Sequence, residues 1–423
     1  MTPFRRALLP LAALLLAACG GREDDGEVVV RFWGMGREGE VVGELVPEFE
    51  RLNPGVRVDV QQIPWSAAHE KLLTAFVGGA TPDVSQLGNT WVPEFQALGA
   101  LEDLGPWAAR SSVVRQADYF PGIWDTNVID GRAYGVPWYV DTRVLFYRPD
   151  LLAQAGYPRP PETWDEWRDA LRKMKARMGP DRWPILLPTN EWPQPVILGM
   201  QSGAPLLREG GRYGHFRDPR FRRGFEFYVS LFREGLAPAV SASEIANRYQ
   251  EFAAGNVGMV ITGPWEIGEF TTRVPAGVPW ATAPLPGPDG PGTSLAGGAS
   301  LVLFRASKRK EAAWKFVEFL SRPDVQVRFY RLTGDLPARR TAWQDTALAN
   351  NRHAAAFRSQ LDRVVPLPKV PESEQIVSKV FEQGERAARG QATVDQALTA
   401  LDREVDVLLE KRRWLLARRE GTP

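Results

Sequence analysis

The amino-acid sequence predicts an α/β fold with two lobes, a hinge and a central ligand cleft. After a short N-terminal segment, strands predicted over 28–33, 56–63 and 83–87 alternate with helices over 38–52 and 66–77. This order predicts parallel strands joined by crossover helices, so we expect the first lobe to be an α/β layer. The chain of 423 residues is longer than one hydrophobic core usually organises, which favours two domains.

A second α/β region follows Pro137, and a return crossing rich in proline and glycine spans 284–292. Two or more crossings suit a hinge, because a few linker residues can absorb a rotation while each lobe stays rigid. Loops at the carboxyl ends of parallel strands then face a cleft between the lobes. The elements predicted here are strands over 140–147, 183–187, 257–262, 280–283 and 299–304, and helices beginning at 163 and spanning 221–233, 243–254, 308–320, 373–389 and 393–416.

The N-terminal segment has the layout of an export signal. Arg5 and Arg6 precede an apolar stretch over 7–18 that is too short to span a bilayer and ends in small residues. Cys19 follows directly and is the only cysteine, which predicts a lipid anchor of the bacterial lipoprotein kind. The predicted limits are 1–18 for the signal peptide, 19–27 for the anchor and tether, 28–137 plus 293–340 for the N-terminal lobe, and 138–292 plus 341–416 for the C-terminal lobe.

Composition argues against several classes of function. The 52 basic and 51 acidic residues leave the chain near neutrality, which gives no reason to expect nucleic acid as a partner. With no cysteine after Cys19, we expect no disulfide and no thiolate metal site in the folded part of the chain. The three histidines, His69, His215 and His353, are widely separated and lack the spacing of metal or catalytic motifs. We therefore expect no metal and no cofactor.

Tryptophan is abundant, and many of the 15 tryptophans follow predicted strands beside glycine or proline. Trp65 ends the second strand, Tyr139 lies at the first crossing, and Trp192 and Trp265 follow later strands. Core tryptophans would lie within periodic segments, as Trp164 does. Flat aromatic faces suit the C–H face of a sugar ring, and tryptophan and tyrosine add a polar edge. These positions favour a carbohydrate site.

Polar side chains accompany the aromatic residues at the strand ends and could bond the hydroxyl groups of a sugar. Each satisfied hydroxyl contributes roughly 1 kcal/mol net, and a buried unpaired polar group costs about 1–3 kcal/mol, so such a set selects sugars by stereochemistry. The pair Gly297-Gly298 would let the backbone approach a ligand closely, or would form a plain turn before its strand. The polar candidates are Arg37, Glu38, Gln86, Asn89, Thr90, Asp141, Asn190 and Glu191.

Several segments together resemble family 1 extracellular solute-binding proteins, the sugar-binding components of ABC importers. The resemblance runs through nearly all of the chain after its leader, and the maltose/trehalose-binding proteins are the most similar subset. It implies the two-lobed fold of periplasmic binding proteins, of a type II-like kind. The segments that carry it are YGVPWYVD at 134–141, LFYRPDLL at 145–152, Gly156-Tyr157, PPETW at 160–164, Pro82-Asp83-Val84 and FERLNPGV at 49–56.

The resemblance also implies which residues contact sugar. Glu38, Tyr139 and Asp141 match contacts in the maltose/trehalose-binding proteins, Gly297-Gly298 matches a backbone contact, and Trp265 fits an aromatic contact with a small shift. Three positions depart from the pattern: Gly88-Asn89 replaces an acid, Ala299 replaces an aromatic residue, and Leu367 replaces an arginine. These departures make trehalose a weaker candidate than the family name suggests, and the predicted ligand is an α-glucoside or oligosaccharide such as maltose.

The resemblance predicts a monomeric substrate-binding lipoprotein, held at a bacterial membrane on the periplasmic or outer side, that delivers a sugar to the permease of an ABC importer and is not an enzyme. Two alternatives remain. A lipid-anchored glycoside hydrolase would draw two carboxylates from Asp141, Glu191 and Glu266. A binding protein for a polyol, an amino sugar or another small solute would use the same fold.

Overall fold

A computed structural model describes residues 27–191, 193–419 and 421. The predicted signal peptide and Cys19 lie outside them. The strands are β1 (Val28–Met35), β2 (Val56–Ile63), β3 (Val84–Gly88), β4 (Val128–Ile129), β5 (Arg132–Ala133), β6 (Val136–Asp141), β7 (Val144–Tyr147), β8 (Leu207–Arg208), β9 (Tyr213–Gly214), β10 (Met259–Thr262), β11 (Ala281–Ala283), β12 (Ser294–Leu295), β13 (Gly297–Leu303), β14 (Leu336–Pro337) and β15 (Val364–Val365).

The helices alternate with these strands through both lobes, and short 3-10 turns lie at Val42–Glu44, Asn89–Trp91, Gln116–Asp118, Ala242–Glu244 and Arg340–Gln344. The α-helices are α1 (Gly36–Val41), α2 (Val46–Leu52), α3 (Trp65–Val77), α4 (Val92–Ala97), α5 (Gly105–Arg110), α6 (Pro121–Asp125), α7 (Pro149–Gln154), α8 (Trp164–Met178), α9 (Pro193–Met200), α10 (Pro219–Arg233), α11 (Arg248–Ala253), α12 (Glu266–Arg273), α13 (Lys310–Leu320), α14 (Pro323–Thr333), α15 (Thr346–Ala349), α16 (Ala354–Gln360), α17 (Ser373–Ala388), α18 (Val394–Leu408) and α19 (Glu410–Arg419).

The first lobe is built on a six-stranded sheet with the order β14-β6-β13-β3-β1-β2. β1 pairs in parallel with both β2 and β3, as the alternation of strands and helices predicts. β13 returns from the far side of the chain and lies antiparallel between β3 and β6. The carboxyl ends of β1, β2 and β3 therefore meet at one edge of the sheet, where helices α1, α3 and α4 begin.

Alternating side chains of β1 fill the two faces of this sheet, since successive residues of a strand point to opposite sides. Phe32 lies on one face and packs edge-on against Phe316 of α13, with the ring centroids 5.4 Å apart. On the same face Trp138 stacks on Phe329 of α14 at 4.3 Å. Met35 points to the other face, toward the core that contains Phe95 of α4. Both faces of the central strands are thus buried.

The second lobe contains a three-stranded antiparallel sheet, β10-β7-β11, covered by helices. Trp164 of α8 stacks on Phe227 of α10 at 4.6 Å, which confirms its interpretation as a packing residue. The predicted strand over 183–187 is wrong: only single bridges from Trp183 and Leu186 reach the β10 segment. Pro184 and Pro188 have no N–H to donate to a ladder, so a continuous strand cannot form.

The chain crosses between the lobes three times. β6 stays in the large sheet as far as Asp141 and β7 joins the small one at Val144, so the first crossing falls later than its predicted place after residue 137. The second crossing runs from β11 to β13, and β12 on its way pairs with β15. The third runs from the 3-10 turn Arg340–Gln344, beside α14, to α16, which packs on β11 and β7.

Helix boundaries follow local chemistry more closely than apolar periodicity. The helix predicted over 38–52 is interrupted by a 3-10 turn, and Pro47 occupies the first turn of the second piece, where its missing N–H costs nothing. The helix predicted over 66–77 begins one residue earlier, at Trp65, so Pro64 and not Ser66 occupies its N-cap, without a side-chain bond. The capping box of Thr393 and Gln396 is complete at α18.

Within the described ranges, no helix is long and apolar enough to cross a bilayer.

Candidate functional site

A cavity of about 460 Å³ lies between the two lobes, beside the β6–β7 crossing. Its walls come from segments far apart in the sequence: the ends of the parallel strands, the crossing itself, and two positions of the second lobe, Trp265 and Glu374. The remaining lining residues are Glu38, Trp65, Gly88, Asn89, Thr90, Trp91, Tyr139, Val140, Asp141, Leu295, Gly297, Gly298 and Asp335. Nine of the predicted sugar-contacting residues therefore face one space.

A pair of tryptophans forms the wall on the first lobe. Trp65 begins α3 directly after β2, and its side chain is 39% exposed. Its ring lies 5.8 Å from that of Trp91, at an interplanar angle of 66°. His69 supports Trp91 from behind at 5.0 Å, and Nε2 of His69 lies 2.6 Å from Oε2 of Glu94. Trp91 was not among the predicted site residues, although it follows a strand as the predicted ones do.

Trp265 forms the wall on the second lobe and is held in position from two sides. It follows β10, and its side chain is 39% exposed. A Cβ atom at Gly263 would lie 2.1 Å from its ring, so only glycine permits this ring position. The guanidinium of Arg143 lies 4.6 Å from the ring centroid and also donates a hydrogen bond to Asp141. One arginine at the crossing thus contacts both an aromatic and an acidic wall residue.

A buried hydrogen-bond chain holds the acidic residue at the start of α1. The hydroxyl of Tyr139 donates to Oε1 of Glu38 at 2.8 Å and accepts from Nε2 of Gln86 at 3.0 Å. Oε1 of Gln86 in turn accepts from the backbone N–H of Met35 at 2.7 Å. Burial and then the charge of Glu38 raise the pKa of Tyr139 well above its usual value, so the hydroxyl stays protonated. Gln86 does not line the cavity and acts by orienting Tyr139.

Three further carboxyl groups lie in the cavity wall, those of Asp141, Asp335 and Glu374. Burial raises the pKa of Asp141, and the neighbouring Arg143 opposes that shift. Asp335 follows α14 and is partly buried; burial and then the charge of Glu38 raise the pKa of Asp335 to about 8. Asp335 and the exposed Glu374 of α17 were not predicted. Both lie in segments without the strand-end aromatic pattern, so only the fold brings them to the cavity.

The glycine pair makes room for β6. A Cβ at Gly297 would lie 2.3 Å from the carbonyl oxygen of Asp141, and a Cβ at Gly298 would lie 2.2 Å from that of Tyr139. Gly298 also has a φ of 131°, which disfavours any other residue. The close approach therefore involves the backbone of the strand that carries the cleft residues, rather than a turn before β13.

Besides Gln86, three more predicted site residues lie outside the cavity. Arg37 directly precedes Glu38 on α1. Because adjacent helix residues point about 100° apart, Arg37 points to solvent instead of the cavity and donates a hydrogen bond to Glu40 at 3.2 Å. Asn190 accepts from the backbone N–H of Ala242 at 2.7 Å and so ties two loops together. Glu191 lines a separate cavity of the second lobe. Trp192 lies outside the described residues.

One of the two predicted polar residues beside the tryptophan wall, Asn89, bonds to the segment that returns to the first lobe before β13. Nδ2 of Asn89 donates to the carbonyl oxygen of Ala296 at 2.9 Å, and the side chain is buried. Thr90 lines the cavity beside it. Among the side chains that the structure describes, no three histidine, cysteine, aspartate or glutamate residues are grouped as a metal site would require. The cavity is therefore lined by aromatic faces, carboxyl groups and hydrogen-bonding amides.

Comparison with known proteins gives consistent matches over most of the chain. Residues 35–327 match the family model of bacterial extracellular solute-binding proteins. The sugar-binding protein MalE of Xanthomonas citri is 51% identical, with a TM-score of 0.90 over 92% of this chain and 99% of that one. The diacetylchitobiose binding protein DasA of Streptomyces coelicolor is 27% identical over 76% of this chain and 78% of its own length. An uncharacterized lipoprotein of Streptomyces antibioticus is 30% identical over 86% of this chain and 83% of its own.

Proposed function

Because the chain belongs to the family of bacterial extracellular solute-binding proteins, and is a sugar-binding protein of the ABC-transporter type, we propose that it binds an α-glucoside such as maltose in the cleft between its lobes. The observation that carries this proposal is the pairing of Trp65 on one lobe with Trp265 on the other across a cavity that also holds Glu38 and Asp141.

The chemistry of the cavity matches that of a sugar ring. The half-exposed rings of Trp65 and Trp265 offer flat apolar faces to C–H groups, and the carboxylates accept hydrogen bonds from hydroxyls. Hydrogen bonds to a charged partner contribute more than neutral ones, about 1.5–3 kcal/mol each. Glu38 is suited to this role because Tyr139 fixes one of its oxygens and thereby orients the other.

Delivery to an importer requires that the sugar change the shape of the protein. A sugar that contacts Trp65 and Trp265 together can do so only when the lobes are close, so it binds the closed form better than the open one. The short β6–β7 crossing and the two others supply the hinge. We propose that the monomeric closed form is the one that the permease recognises.

The 51% identity to the sugar-binding protein MalE supports a sugar as the ligand, and the match of Glu38, Tyr139 and Asp141 to contacts of the maltose/trehalose-binding proteins supports an α-glucoside. Calorimetric titration with a panel of sugars tests this choice. We expect saturable binding of maltose, weaker binding of trehalose, and none of a polyol or a free amino sugar. Binding of chitobiose derivatives in preference to maltose would reject the α-glucoside and leave the cleft as a sugar site. Absence of binding by every sugar in the panel would reject both.

The geometry disfavours a glycoside hydrolase that draws its two carboxylates from Asp141, Glu191 and Glu266. Of its three candidate carboxyl groups, only Asp141 lines the cleft, where Arg143 holds it. Glu191 lines the cavity of the second lobe. Glu266 is buried, with Arg248 and Tyr249 as its partners. A glycosidase requires two carboxyl groups on either side of one glycosidic bond. Release of glucose from maltose in the same titration samples would overturn this conclusion.

We propose further that Cys19 carries the lipid that holds the protein at the outer face of a membrane. The support is the small-residue site directly before this single cysteine. Replacing Cys19→Ser is expected to move the protein from the membrane fraction to the soluble fraction of the producing cells, while sugar affinity stays the same. Unchanged membrane association of the Cys19→Ser chain in molar salt, where attraction between charges is screened, would contradict lipidation at this residue.

A further inference from the structure

The last helix, α19, presents an aromatic and apolar face to solvent. Trp414 is 55% exposed and Leu415 is 43% exposed. Lys411 and Arg418 are also exposed, and they lie three to four residues from Trp414, on the same side of the helix. The guanidinium of Arg418 lies 4.5 Å from the ring centroid of Trp414. The exposed face therefore consists of an apolar strip flanked by cations.

α19 carries a local excess of positive charge, and the rest of the chain carries a net negative charge that offsets it. Residues 410–419 contain five basic residues and one acid, whereas the whole chain carries a net charge of only +1. This local excess of four positive charges on ten residues cannot be a consequence of the overall composition. An anionic surface is the partner that such a charge pattern attracts.

The opposite side of α19 is anchored, so the exposed face has a fixed direction. Nε of Arg412 donates to the carbonyl oxygen of Gly211 at 3.1 Å, and Nη1 of Arg413 donates to that of Arg212 at 3.0 Å. The guanidinium of Arg413 also lies 4.8 Å from the ring centroid of Tyr213. These contacts hold the helix on the second lobe while Trp414 stays in water. A binding partner would therefore meet a preformed surface.

We propose that α19 docks on an anionic phospholipid surface. Tryptophan favours the level of the lipid headgroups, and lysine and arginine bind their phosphates, with each basic residue near the surface strengthening binding about fivefold. A lipid surface satisfies the cations at any register along the helix, whereas a protein partner would need carboxylates placed opposite each of them. The proposal does not depend on the identity of the sugar or on Cys19.

Docking of α19 would give the lobes unequal roles at the membrane. The second lobe would rest on the lipid, and the first lobe would close toward it about the hinge. The cleft would then keep a fixed orientation relative to the membrane, which shortens the search for an integral membrane partner.

The test uses a chain that begins at Gly20, since the described residues that form both lobes begin at 27. We expect it to sediment with vesicles of equal parts phosphatidylcholine and phosphatidylglycerol at low salt. It should not sediment with pure phosphatidylcholine, or in molar salt, where the screening length falls to about 3 Å. Reversing two charges with Lys411→Glu and Arg418→Glu should lower the vesicle partition coefficient by at least about tenfold.

The matched control reverses two exposed lysines of the first lobe, Lys308→Glu and Lys315→Glu, and should sediment like the parent chain. Sugar titration of each variant shows that the cleft is intact, so a failure of this proposal is distinct from a failure of the sugar site. Absence of vesicle binding by the parent, or equal binding by the Lys411→Glu, Arg418→Glu chain, would overturn it. Concentration-dependent dimers that only the parent forms would assign the face to a second copy instead.

Discussion

Replacing Trp265 with alanine is expected to weaken sugar binding by about 2–4 kcal/mol, the range seen for buried aromatic anchors. Trp265 is the aromatic residue that the second lobe contributes to the cavity. Its removal takes away one face of the sugar site and with it much of the advantage of the closed form. Calorimetric titration of the Trp265→Ala chain measures the loss directly. The Trp265→Phe chain should retain part of the affinity.

The matched control is Trp414→Ala, because Trp414 has a similar exposure but lies on α19, outside the cleft. It should bind sugar like the parent. The same loss in both variants would mean that the effect is not specific to the cleft. Unchanged affinity of the Trp265→Ala chain would show that the sugar binds somewhere other than the proposed cavity.

The stability of the protein is expected to fall between about pH 4 and pH 8 because of Asp335. In the folded chain the pKa of this carboxyl is about 8, against an ordinary value of 3.8. As pH rises, Asp335 therefore loses its proton at a lower pH in the unfolded chain than in the folded chain. Throughout this window the folded chain binds more protons. The free energy of unfolding then decreases as pH rises and becomes constant above the folded pKa. Stability gained from this group is fully present only below pH 4.

Replacing Asp335→Asn removes this titration and is expected to stabilise the protein at pH 8 by on the order of 2–4 kcal/mol, given 1.36 kcal/mol per pKa unit and some relaxation around a partly buried group. Denaturant unfolding of both chains from pH 4 to pH 8 measures it. The control is Asp59→Asn on exposed β2, which should keep the parent's pH dependence. Parallel curves for the parent and Asp335→Asn chains would mean that Asp335 ionises normally.

Many of the residues that line the cleft could be predicted from the sequence, because parallel strands bring their carboxyl ends together. Trp65 follows β2, and Tyr139 and Asp141 lie on one strand, so strand order alone brings them close. Glu38 could be assigned to the cleft from the sequence. Its neighbour Arg37 could not be excluded from the cleft without knowing how α1 is rotated about its axis. The direction in which a helix residue points depends on which face of the helix packs on the core. A short, interrupted helix contains too few apolar residues for the sequence to define that face.

Residues that reach the cleft through tertiary structure could not be predicted. Asp335 follows α14, and Glu374 lies in the first turn of α17. Gly334 precedes Asp335 and Pro371 lies near Glu374, but neither acid follows a predicted strand or lies beside a tryptophan. The glycine pair could be recognised in the sequence, but its role depends on β13 lying antiparallel to β6. In that pairing Gly298 lies opposite Val140, more than 150 residues away in the sequence. Local sequence does not encode such a contact.

The central claim is that sugar binds between the lobes, and a crystal structure of the protein with its preferred disaccharide tests it most directly. We expect sugar rings against Trp65 and Trp265, and hydroxyls bonded to Glu38 and Asp141. Electron density for the sugar in the separate cavity of the second lobe, beside Arg248, with the cleft free of sugar, would contradict it.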